Sequence, residues 1–206
     1  MPYELVSADE AGIDPARLDV FLRRARLEVE DGPLPSAQVA VARGGRLVAF
    51  ETYGDATPGK RYILQSVGRT VVAATVWKLL GEGLLAVDER VGDVIPEFAT
   101  NGKEVVTVEH VLTHTAGFPF APLGYPKMLD RARRLEAFST WRLDWDPGSR
   151  LQFHLTGAAW VIAELVERRT GLGFADYLRT EIVEPLGLRI LLPVPADRYD
   201  EVVAVP

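Results

Sequence analysis

Two short β runs stand alone in a chain that otherwise reads as helix and loop, and that imbalance restricts the folds open to it. The runs lie in SAQVAVARGGRLVAFETYGD, on either side of Arg43-Gly44-Gly45. Gly-Gly between apolar runs signals a hairpin, because glycine accepts the positive φ of tight hairpin turns. The reading is a hairpin of residues 37–43 and 46–53. Two strands alone make a marginally stable sheet. The hairpin therefore calls for more strands, and its edge or face is expected to expose apolar surface.

The remaining pattern is helical. In residues 14–30, Leu18, Phe21, Leu22 and Ala25 recur at helical spacing. Asp14 before Pro15 has the order of an N-cap followed by a first-turn proline. Residues 66–83 carry Val71, Val72, Thr75, Val76, Leu79 and Leu80. A helix apolar on most sides belongs in a core, so this one is expected to be the most buried. Gly81 and Gly83 end it. Residues 84–99 read as a loop with a helical turn after Asp88, and 107–113 as a short helix capped by Thr107. Residues 127–140 form an amphipathic helix, WDPGS a turn, 155–170 a second long core helix and 173–182 a further helix. The tail PVPADRYDEVVAVP is expected to be extended and broken by proline. No repeat, low-complexity segment or flexible linker interrupts the chain, which reads as one domain over residues 1–206.

Bulk properties exclude several classes. A chain of 206 residues buries roughly 70% of its extended surface on folding, enough for one sizeable core. It has no cysteine, so neither a disulfide framework nor a thiolate metal site exists. The net charge of -6 argues against nucleic acid as a partner. The start, MPYELVSADEAGIDP, lacks the basic and apolar segments of a secretory signal. No apolar run reaches the roughly 20 residues that span a bilayer. These features point to a cytoplasmic protein without membrane contact.

Chemistry concentrates at Leu64-Gln65-Ser66-Val67-Gly68-Arg69-Thr70. Ser66 opens a helix, where free backbone N–H groups and the positive dipole end favour a developing oxyanion. Arg69 follows at i+3, on the same face one turn later. The plain alternative is that Ser66 is an N-cap. Thr75-Val76-Trp77-Lys78 has a related spacing but lies mid-helix, where threonine usually bonds its own backbone. His110 and His114 stand at i, i+4, a zinc-compatible spacing without a third ligand, and read as core or turn histidines. Trp141 and Trp145 flank Arg142 and Asp144 and read as packing, or as the wall of a pocket.

Several segments occur in an order that resembles the serine β-lactamases, penicillin-binding proteins and related esterases. Ser66-Val67-Gly68-Arg69 resembles their Ser-x-x-Lys motif. Residues 83–91 and Ile95-Pro96-Glu97-Phe98 resemble the loop after the nucleophile helix. Val108-Glu109-His110-Val111-Leu112-Thr113-His114-Thr115-Ala116-Gly117-Phe118-Pro119 is similar to the Leu-Leu-Thr-His-Thr-Ser-Gly segment. Pro147-Gly148-Ser149-Arg150-Leu151-Gln152-Phe153 resembles the turn and strand carrying Tyr-x-Asn. Residues 164–171, 174–178 and Glu184-Pro185-Leu186-Gly187-Leu188 resemble the helices and the Pro-Leu-Gly turn that follow. The resemblance implies an α/β (α+β) β-lactamase-like fold, with a helical region packed on an incomplete antiparallel sheet. It also implies acyl transfer from a small-molecule ester or amide to Ser66, then hydrolysis, with no metal or organic cofactor.

The departures bear on activity. Arg69 stands where the family has lysine, and arginine cannot lose its proton to act as a base. Phe153 replaces the tyrosine and has no hydroxyl, and Leu155 replaces the asparagine. The Lys-Thr-Gly or His-x-Gly motif of a C-terminal strand has no match, as if the C-terminal strands were lacking. His154, beside Phe153, is the candidate substitute base, since an unperturbed imidazole titrates near neutrality. The candidate site is thus Ser66, Arg69, Phe153 and His154. The reading is an impaired serine hydrolase. Its rival is an inactive relative or fragment that binds a ligand, associates with itself, or takes a partner that completes the sheet.

Overall fold

The structure, a computed structural model, describes residues 4–190 and 192–203. The readings above that touch residues 1–3, 191 and 204–206 lie outside the described residues. The chain forms two compact units, one from the stretches Met1–Ile63 and Val194–Pro206 and one from Leu64–Pro193.

In the first unit, helix α1 spans Pro15–Glu30. Asp14 caps it by accepting from the backbone N–H of Ala16 at 2.9 Å and of Arg17 at 3.2 Å. Strands β1 (Ser36–Arg43) and β2 (Arg46–Gly54) pair antiparallel as the spacing predicts. Gly44 and Gly45 turn the hairpin at φ 59° and 74°, both in the left-handed region that disfavours a side chain. An irregularity between Val41 and Ala42 offsets the register. Helix α1 packs on both strands, and Tyr53 Oη donates to the Leu22 carbonyl at 3.2 Å.

Two expectations need correction here. The strands do not expose a large apolar face: Val39, Val41, Leu47, Val48 and Phe50 are half-buried. The large exposed apolar side chains described in this unit lie on α1, at Val20, Phe21 and Leu27, and off the strands at Leu5, Leu34, Ile63 and Tyr199. A helix laid on only two strands has one narrow contact line, and side chains away from it stay in water. The tail is not simply extended; Ala196–Glu201 winds into a 3₁₀ helix. An Arg198–Glu201 ion pair closes that turn, and Arg61 also reaches Glu201 at 2.8 Å.

The second unit is helical. It comprises α2 (Gly68–Gly81), α3 (Val91–Val94), α4 (Val108–Leu112), α5 (Arg131–Thr140), α6 (Gly157–Thr170) and α7 (Phe174–Leu178). Thr107 caps α4 in a reciprocal box with His110, whose Nδ1 accepts from the Thr107 backbone N–H at 3.1 Å. The core is organised around α6, which contacts α2, α3, α4 and α7. All of residues 161–166 are buried, including Glu164. Glu164 is neutralised by Arg131 at 2.6 Å and Arg168 at 2.7 Å, as a buried carboxylate requires. Phe98, Phe118, Phe138 and Trp141 add an aromatic cluster with centroids 4.8–6.4 Å apart. Helix α6 is therefore the most buried helix, not α2. The apolar residues of α2 surround its axis, yet neighbours cover only part of it: Thr75, Val76 and Leu79 are buried while Trp77 is 60% exposed.

Candidate active site

Ser66 sits in the middle of a 3₁₀ turn, Gln65–Val67, that runs directly into α2. Its side chain is exposed. The residue before it, Gln65, has φ 48°, a left-handed conformation uncommon for a residue with a β-carbon. Such strain concentrates at functional sites, and here it orients the turn that carries the serine hydroxyl. The N-cap alternative is not what forms, because the first α-helical turn begins after Val67 with no side-chain cap.

One turn on, the Arg69 guanidinium lies over the Phe153 ring with its central carbon 4.5 Å from the centroid. Arg69 Nη1 donates to the Leu155 carbonyl at 3.1 Å. Its Nε is shielded from solvent and has no hydrogen-bond partner. Among the described residues no carboxylate pairs with this cation. Arg69 and Phe153 therefore meet, and they belong to a chain of contacts running through His114 to His154. The His114 ring packs on Phe153 at 4.8 Å and stacks on His154 at 5.7 Å. Among the described residues, none of the hydrogen bonds or ring contacts of this chain reaches Ser66.

His154 is fully buried. Its Nε2 accepts from the Phe118 backbone N–H at 3.0 Å, so its proton rests on Nδ1, which donates to the Gln152 carbonyl at 2.8 Å. Burial holds its pKa below the usual imidazole value, and nearby His114 lowers it further. A neutral imidazole with both nitrogens engaged has no lone pair to offer Ser66. What His154 does is tie the 114–119 loop to the 152–155 segment. That segment is extended and bonds the loop through Gln152 N–H to the His114 carbonyl (3.1 Å) and Leu155 N–H to the Pro119 carbonyl (3.2 Å).

His114 matters more than its sequence pattern suggested. It adopts φ 59°, its Nδ1 accepts from the His154 backbone N–H at 3.2 Å, and its pKa is lowered by burial and then by the Arg69 charge. The signal lay in Thr113-His114-Thr115-Ala116-Gly117. At Gly117 φ is 89°, and a β-carbon would fall 2.5 Å from the Trp145 carbonyl oxygen, so only glycine lets the loop approach that backbone. His110 belongs to the α4 cap. Trp141 is buried and donates from Nε1 to the Pro122 carbonyl at 3.1 Å. Lys103, which sequence patterns did not single out, is fully buried. Its ammonium donates to the Thr100 carbonyl (2.7 Å), Thr100 Oγ1 (3.0 Å) and the Trp141 carbonyl (2.6 Å). Among the described residues no group of acidic, histidine or cysteine side chains is arranged to hold a metal, and no helix is long and apolar enough to cross a membrane.

Known proteins share the fold and much of the sequence. The sequence model of the beta-lactamase family matches residues 22–191. The chain is 30% identical to Esterase EstB of Burkholderia gladioli, over 84% of this chain and 50% of that protein. It is also 30% identical to Penicillin-binding protein 4 of Amycolatopsis lactamdurans, over 96% of this chain and 51% of that protein. The crystal structure of a penicillin-binding protein homolog from Caulobacter crescentus superposes with a TM-score of 0.82 at 29% identity, covering 93% of this chain and 54% of that one. The chain thus spans about half the length of the curated relatives it matches. A family match over most of the chain and the shared fold lead to one conclusion: this chain belongs to the beta-lactamase family of serine hydrolases and penicillin-binding proteins.

Proposed function

We propose that this chain is an acyl-transfer module in which Ser66 is the acyl acceptor and turnover is strongly impaired. The exposed hydroxyl just ahead of α2, in a segment that resembles the family's Ser-x-x-Lys motif, supports the first half. The second half rests on one observation: Arg69 stacked on Phe153, with no proton acceptor between them. In the reaction, Ser66 Oγ bonds to the carbonyl carbon of a small ester or amide. The alcohol or amine departs with the serine proton, leaving an acyl-serine; water then splits this to a carboxylic acid and the free hydroxyl. The proton needs a carrier at each step. Arg69 stays protonated and Phe153 has no oxygen. His154, with both nitrogens committed, adds no base in this reading.

The positive end of α2 and its free N–H groups favour the tetrahedral oxyanion without supplying that carrier. Both acylation and hydrolysis are slow as a result. The test is labelling with a fluorophosphonate together with turnover of a short activated ester. Labelling of the peptide containing Ser66, lost in Ser66→Ala, with turnover near background, supports the proposal. Turnover typical of an efficient hydrolase, or turnover unchanged in Ser66→Ala, defeats it.

A further inference from the structure

A cavity of about 300 Å³ opens between α2, α4 and the first turns of α6. Its walls are mainly apolar, with Val72, Ala73 and Trp77 from α2, Leu112 from α4, and Ala159 and Ile162 from α6. Three polar side chains, Arg69, Thr70 and His114, share the lining, and Ser66 does not. Arg69 and His114 have donors left over. Arg69 presents its face to the Phe153 ring and spends Nη1 on the Leu155 carbonyl; among the described residues Nη2 donates to nothing, while Nε is unpaired but shielded from solvent. A stacked guanidinium keeps its N–H edge for in-plane acceptors. His114 accepts at Nδ1 from the His154 N–H, which places its ring proton on Nε2. Among the described residues Nε2 donates to nothing.

A polar donor without an acceptor inside an apolar wall is costly, and an unpaired cation more so. A ligand that removes the cost has one negative head and an apolar body. The planar fork of one guanidinium matches a carboxylate, and its single charge balances a single negative charge. A volume at the lower end of small-molecule pockets keeps the body short.

We propose that this cavity binds a small aliphatic monocarboxylate, with its oxygens on Arg69 and His114 Nε2–H and its tail against Val72, Ala73, Trp77 and Ile162. The replacement of a catalytic lysine by arginine then has a use. It exchanges a proton carrier for a permanent anion anchor. Binding does not require Ser66 to react, so this site stands or falls separately from acyl transfer.

The test titrates the intact chain with sodium hexanoate and, in parallel, with 1-hexanol, following the methyl signals of Ala73, Ala159 and Ile162. The expected result is saturable binding of hexanoate, with shifts at those methyls and affinity at least about tenfold above hexanol, the usual scale of a charge-assisted contact. Arg69→Gln should abolish the preference, and Ser66→Ala should keep it even though ester labelling is lost. Equal affinity for hexanol, shifts confined to other methyls, no saturation by about 10 mM, or a preference that survives Arg69→Gln would each overturn the proposal. If Arg69→Gln does not fold, the hexanoate-to-hexanol ratio on the unaltered chain decides.

Discussion

Helices α2 and α6 each have 14 residues, pack on each other and meet different fates. Helix α2 is the more apolar by eye, yet it leaves Trp77 largely in water and leads from the serine turn. Helix α6 carries Glu164, Glu167, Arg168 and Arg169, yet it is the centre of its unit. The contrast teaches that apolar composition does not rank helices by burial. What ranks them is the number of neighbours, and a charged residue can occupy the centre when two arginines meet it. The same contrast separates the polar side chains. His154, near the start of α6, has both ring nitrogens matched, whereas Arg69 on α2 is left with an unpaired donor. Matched polar groups hold a fold together; an unmatched one calls for an explanation, and for Arg69 the ligand proposed above supplies it.

If this division is right, substitutions at the head of α2 change rate and those in α6 change stability. The largest effect is expected in catalysis. Arg69→Lys combined with Phe153→Tyr restores a proton path and should raise ester turnover by up to about 10²–10⁴-fold. Steady-state kinetics on an activated ester checks this; no gain at all would mean that the pair is not where the proton moves.

Next comes Leu165→Ala in α6, which removes a fully buried side chain and should cost about 2–5 kcal/mol. Trp77→Ala in α2 should stay within about 0.5 kcal/mol, as exposed substitutions do. Denaturant melts of the two variants compare the helices directly. Similar losses would erase the distinction.

Lys103 gives a smaller, pH-dependent effect. Burial lowers its pKa from 10.5 to about 8, with the Glu104 charge opposing and Arg142 assisting. Between those values the unfolded chain binds the proton more strongly, so stability should rise with pH from about 8 to 10.5, by up to about 3 kcal/mol. Lys103→Met should flatten that rise, read from melts across the alkaline range.

The smallest is at acid pH. His154 and His114 both have lowered pKa values, chiefly through burial. The folded chain resists protonation that the unfolded chain accepts. Their contribution is therefore complete above the ordinary imidazole pKa of about 6.5 and falls away as pH drops below it. His154→Gln should lose stability at neutral pH and show a shallower decline between neutrality and mild acid. A slope identical to that of the parent chain would remove His154 from the account.

Local chemistry was legible without coordinates. Asp14-Pro15 set the start of α1, Gly44-Gly45 set the hairpin register, and Thr107 set the cap of α4, because each depends on backbone geometry within a few residues. The ordered motifs likewise pointed to the family. Depth was not legible. That α6 lies deeper than α2, and that α1 rather than the hairpin carries large exposed apolar side chains, depends on which faces neighbours cover. The states of His154 and Arg69 were also decided only in three dimensions. Arg69 meets the carbonyl of Leu155 across 86 positions of chain, and His114 meets His154 across 40. Periodicity records which face of an element is apolar. It does not record which distant backbone groups arrive to satisfy a polar side chain, and that arrival made His154 structural and left Arg69 with a donor to spare.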